Sequence, residues 1–144
     1  YYKQAVELEQ NQENKGTLNY TLGIIYMSQD NYAQARTYFQ RASELRPGWG
    51  LPYIQIGILY GSSAKSCGKD EFEQKGVYWA AVDKFSKAKT VDPTIADEAN
   101  KQIATYSAHF PSKEDIFFHG MTEGSAYTVG CWINETTTIR AKKQ

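Results

Sequence analysis

Within residues 16–47 the chain reads Leu22-Gly23-x-x-Tyr26, then Ala35-x-x-x-Phe39-x-x-Ala42, then Pro47. These residues predict two short antiparallel helices joined by a tight turn. Leu22 and Tyr26 are four apart and share one helix face. Gly23 lets a second helix approach closely. Ala35, Phe39 and Ala42 form a small-large-small ridge that fits against it, and Pro47 stands where the second helix can no longer continue.

The same grammar extends in both directions. Tyr53-x-x-Ile56-Gly57-x-x-Tyr60 restates the first helix, and Ala81-x-x-x-Phe85-x-x-Ala88 followed by Pro93 restates the second. Upstream, Tyr1-Tyr2-Lys3-Gln4-Ala5 aligns with Tyr38-Phe39-Gln40-Arg41-Ala42, a second helix without its first. This register resembles the tetratricopeptide repeat (TPR) family, whose helix pairs stack into a solenoid. The resemblance implies a mostly α fold: a half repeat at 1–10, a repeat at 16–49, a second at 50–93 and a capping helix at 94–110, with a tail at 111–144. A half repeat cannot bury its apolar face alone, so the chain is expected to be part of a longer array.

The second repeat is interrupted. Ala35 follows Tyr26 by nine positions, whereas Ala81 follows Tyr60 by 21, so about twelve residues enter the turn between its helices. Gly61 through Asp70 carries Gly and Ser without a period and is expected to be mostly loop, with the first helix running to about Ala64 and the second starting near Asp70. After Pro93, Thr94 is the expected N-cap of a helix whose apolar stripe is Ile95, Ala99, Ile103 and Tyr106.

Beyond Pro111 the pattern changes. Ser112-Lys113-Glu114-Asp115 opens a short helix through Phe118, with a cap and two first-turn acids. Tyr127, Val129, Cys131 and Ile133 alternate as on one strand, and Thr136–Arg140 is expected to return antiparallel across an Asn134-Glu135 turn. An extended segment lying on the helices is the alternative. The tail, from Phe110-Pro111-x-Lys113-Glu114-Asp115-x-Phe117-Phe118 to Thr136-Thr137-Thr138-Ile139-Arg140, is similar to the closing segment of a group of bacterial TPR proteins, several of them exported. That resemblance implies the periplasm or cell envelope as the compartment. There Cys67 and Cys131 would form a disulfide if the tail folds back over the insertion; the other reading is two separate thiols.

Sixteen basic and sixteen acidic residues cancel, so there is no overall field of the kind nucleic-acid binding needs. No apolar run is long enough for a membrane span. The sequence lacks a phosphate loop, a nucleophile elbow and a His-Glu-x-x-His motif, so no enzyme activity and no cofactor are expected. Cys67, His109, His119 and Cys131 do not have the paired spacing of zinc ligands, so no metal is expected either; each histidine suits a helix end.

Function is expected on the concave wall. By TPR register the inward positions are Thr17, Tyr20, Ile24 and Met27; then Leu51, Ile54, Ile58 and Ser62; then Asp97, Asn100, Lys101 and Ala104. Tyr20, Ile24, Met27, Leu51, Ile54, Ile58 and Asn100 form the candidate peptide-binding groove. Family members that clamp a peptide carboxylate need Lys, Asn and Arg there. This mostly aliphatic wall instead suits an amphipathic helix or extended peptide of a protein partner. The sequence leaves two other readings open: the tail covers the groove, or the chain is the structural cap of a larger envelope protein whose tail contacts another subunit.

Overall fold

The computed structural model describes Lys3 and residues 11–143. The half repeat expected at 1–10 thus lies, Lys3 apart, outside the described residues. Helix α1 (Gln12–Ser28) begins at Asn11, whose side chain accepts a hydrogen bond from the Asn14 backbone at 3.0 Å. It pairs with α2 (Tyr32–Leu45). Leu22 is buried, and Gly23 lies against the Phe39 ring, which is fully enclosed.

The second pair is α3 (Leu51–Ser62) and α5 (Glu71–Val91), with Gly57 closing on Phe85 as Gly23 closes on Phe39. The inserted turn is more helical than its composition suggests. After Ser62 the chain makes one helical turn, α4 (Ala64–Cys67), and α5 starts at Glu71 under an Asp70 cap that accepts from the Glu73 backbone at 2.8 Å. Ser63 allows the abrupt change of direction while buried, because its hydroxyl donates to the Leu59 carbonyl at 2.9 Å. Only the short Gly68–Asp70 stretch separates α4 from α5.

A 3-10 turn at Pro93–Ile95 leads into α6 (Ala96–Ser107). The capping group here is Asp92 rather than Thr94: its carboxylate accepts from both the Thr94 backbone and hydroxyl, and from Gly50 N–H at 3.0 Å. One side chain thereby caps the turn into α6 and ties it to the start of α3. Those hydrogen bonds, with the Thr94 hydroxyl foremost, hold the Asp92 carboxyl below the usual range.

The tail opens with α7 (Lys113–Phe118), capped by Ser112. A hairpin follows, β1 (Ala126–Val129) antiparallel to β2 (Glu135–Thr138), with Ala126 opposite Thr138 and Val129 opposite Glu135. Its turn is wider and earlier than the expected Asn134-Glu135 reversal. The strand stops at Val129, and Gly130–Asn134 makes the turn, because Cys131 and Asn134 take positive φ values of 54° and 44° that a strand cannot contain. Glu135 belongs to β2.

The hairpin is part of the main core. Val129, Ile133 and Ile139 are buried in the same cluster as Trp79, Val77, Tyr60 and Phe85. A two-strand hairpin is marginal in water, so this shared burial is what holds it.

Candidate functional site

The inward positions of the first helices do not remain equally open. Ile24 on α1 is 37 % exposed, and Met27 on the next turn is half-buried. On α3, Leu51 and Ile58 are half-buried at the same surface. Ile54 is 2 % exposed and belongs to the main buried cluster, so it is a core residue. A partner cannot reach it without opening the core. Register on one helix gave no sign of this, because burial is set by the other elements that pack around α3.

Gln55, absent from the predicted set, takes the surface position. Its side-chain amide donates to the Tyr20 hydroxyl at 3.0 Å and bridges α1 to α3. The Tyr20 ring packs against Phe39 at 5.4 Å and Trp49 at 5.0 Å, so only part of it faces solvent, and burial pushes its phenol up. Tyr20 is thus as much a repeat-to-repeat contact as a groove wall. Arg46 covers the far face of this contact, its guanidinium 4.0 Å from the Trp49 ring centre. Asn100 is exposed, and its side-chain oxygen accepts from the Lys89 ammonium at 2.8 Å. Of the expected groove, Ile24 is therefore the exposed apolar member and Met27, Leu51 and Ile58 are half-buried, with the Gln55–Tyr20 hydrogen bond joining the two helices that carry them.

The tail binds elsewhere. Arg36 on α2 reaches it through two hydrogen bonds, to the Ile133 carbonyl at 2.7 Å and to the Trp132 carbonyl at 2.9 Å, and donates a third to the Tyr60 hydroxyl of α3 at 2.9 Å. Its guanidinium also lies 5.0 Å from the Trp132 ring centre. The Trp132 indole donates to the Ser63 hydroxyl at 3.1 Å. On α5, the Trp79 indole donates to the Arg140 carbonyl at 2.8 Å, and Arg140 returns donors to the Trp79 carbonyl and to Asp83. Burial raises the Tyr60 phenol far above its ordinary value, with nearby Glu135 adding to the shift. Cys67 on α4 and Cys131 in the hairpin turn are joined by a disulfide across 64 positions of sequence. These contacts run along the second helices and the α3–α4 junction.

Among the described residues no three His, Cys, Asp or Glu side chains come together as a metal site would require. His119 stacks on Phe72 at 4.1 Å and His109 on Tyr78 at 4.5 Å, each just past a helix end. No described helix is long and apolar enough to cross a membrane.

Residues 17–49 match the tetratricopeptide repeat family. Over 120 residues the chain is 25% identical to the photosystem I assembly protein Ycf3 of Rippkaea orientalis (strain PCC 8801 / RF-1), a span that takes in 81% of this chain and 67% of that relative. No solved structure gives a significant match.

Proposed function

We propose that this chain, built as it is on tetratricopeptide repeats, is a non-catalytic protein-binding scaffold that holds a partner's amphipathic or extended segment on its inner face. The observation that carries this reading is the exposed Ile24, bordered by half-buried Met27, Leu51 and Ile58. An apolar patch of this kind, ringed by Gln55 and Tyr20, offers side-chain pockets together with a few orienting hydrogen bonds. Met27 suits adaptable packing. The tail's polar and covalent contacts lie on the second helices and at the α3–α4 junction, which favours a groove left free for a partner over one filled by this chain. The relative's name describes an assembly protein, and holding a partner while a larger complex is built is the assembly-type role extended here to this chain.

Ile24→Glu tests it. The substitution lies at the surface and should leave the helical circular dichroism unchanged while capture of the partner by the intact chain falls at least about tenfold, as expected for losing a central apolar anchor. Undiminished capture by a folded Ile24→Glu protein would reject the groove. A second reading, a structural cap of an envelope protein whose tail contacts another subunit, is favoured by two bare aromatic side chains on the tail, Phe117 and Phe118. The disulfide fits the oxidising periplasm or envelope compartment that either reading would use.

A further inference from the structure

Phe117 and Phe118 are 83 % and 85 % exposed, the most open large apolar side chains among the described residues. They are not loosely held. Ile116 beside them is 3 % exposed and locks α7 onto the body, the Ser112 cap fixes its start, and Met121 N–H bonds back to the Ile116 carbonyl at 3.1 Å. Two rings are thus presented on a fixed mount, which lowers the ordering cost of inserting them into something.

An apolar cleft of about 430 Å³ lies on the same part of the molecule, lined by Ile103, Ala104, Ser107 and Ala108 of the α6 end and by Lys142 and Lys143. Its floor is made of small side chains, which is why it is open. Ridge and cleft are neighbours across one link, where Lys142 N–H donates to the Pro111 carbonyl at 2.8 Å, just before α7. Their charges are opposite. Glu114, Asp115 and Glu123 stand with the ridge against Lys113 and against Lys75, whose ammonium lies 4.0 Å from Asp115, leaving one net negative charge, and the cleft is rimmed by two lysines.

We propose that two copies of this chain pair with each other, the Phe117–Phe118 ridge of each entering the α6 cleft of the other. A twofold axis would satisfy both contacts at once, each copy giving its ridge and receiving that of the other. Burying four Phe rings gives the contact an apolar centre, and the acidic and basic rims fix its register. The net acidic ridge argues against an anionic bilayer as the occupant. This inference stands apart from the Ile24 groove, whose partner capture is measured separately.

Sedimentation velocity of the intact oxidised chain over a concentration series should show a species of twice the 16.3 kDa chain mass that weakens as salt rises. The double variant Phe117→Asp/Phe118→Asp should weaken pairing by on the order of a hundredfold or more while the circular dichroism stays native. Ala104→Glu, which puts a charge into the cleft opposite the acidic ridge, should also leave a monomer. Mixing the two variants restores one ridge-in-cleft contact of the two, so a mixed dimer weaker than the wild-type one is expected. A monomeric wild-type chain at every concentration overturns the proposal, as does a dimer that neither variant disturbs. A monomer that instead binds zwitterionic vesicles through Phe117 and Phe118 also overturns it.

Discussion

Gly23 and Gly57 hold equivalent places, and the rings opposite them set what either will tolerate. A Cβ on Gly57 would meet the Phe85 ring at 2.5 Å, and one on Gly23 would meet Phe39 at the same distance. Both rings are fully enclosed, so neither can turn aside. Gly57→Ala should therefore destabilise by about 1–3 kcal/mol despite alanine's better helix propensity, read as a lower urea midpoint at unchanged slope. A neutral or stabilising result would mean that the helix pair can separate at no cost. These positions were legible because each pairs a glycine with an aromatic at fixed spacing. Ile54 was not, since its burial depends on how other elements pack around α3. Nor was the role of Arg36, which looks like an ordinary surface residue until Trp132 and Ile133 arrive from almost a hundred positions away.

At the scale of elements, the helix pairs follow from periodicity and caps, whereas the interruption and the tail depend on each other. The Gly- and Ser-rich composition of residues 61–70 suggested loop, yet buried Ser63 and the packing of α4 make most of it helix. Gly68 shows the constraint directly: a Cβ there would lie 2.4 Å from the Gln74 backbone nitrogen. In the hairpin, the expected alternation holds for Tyr127 and Val129 but breaks at exposed Cys131, and Ile133 is buried from a turn and not from a strand. The disulfide links these two irregular elements, so its loss should be felt mainly as loosening of the tail. The double variant Cys67→Ser/Cys131→Ser should melt lower, by an amount corresponding to about 2–4 kcal/mol, and reductant should then have no further effect. Wild-type protein melting identically with and without reductant would show that the bridge adds nothing to the folded state.

On the scale of the whole molecule, α6 has no second helix in repeat register after it, and the chain closes its core with other material. Phe110, Ile116, Val129, Ile133 and Ile139 are buried with the helix residues in one continuous cluster. Trp79, fully enclosed at its centre, touches Phe72 on its own helix and Phe110 and Tyr127 of the tail region, and its indole is satisfied by the Arg140 carbonyl. Removing residues 125–144 would leave that indole without its partner and strip several apolar side chains from the core. It would also strand Arg36, which gives two of its three hydrogen bonds to carbonyls in the deleted segment. An unsatisfied buried donor costs about 1–3 kcal/mol, and each lost aliphatic side chain costs a similar amount in burial. For a chain of this size those losses together approach the whole margin of stability. The truncated protein should lose its cooperative thermal transition and bind a hydrophobic dye at temperatures where the intact chain does not. If it instead keeps a sharp transition close to that of the intact chain, the helix pairs are self-sufficient and the tail is an appendage rather than part of the core.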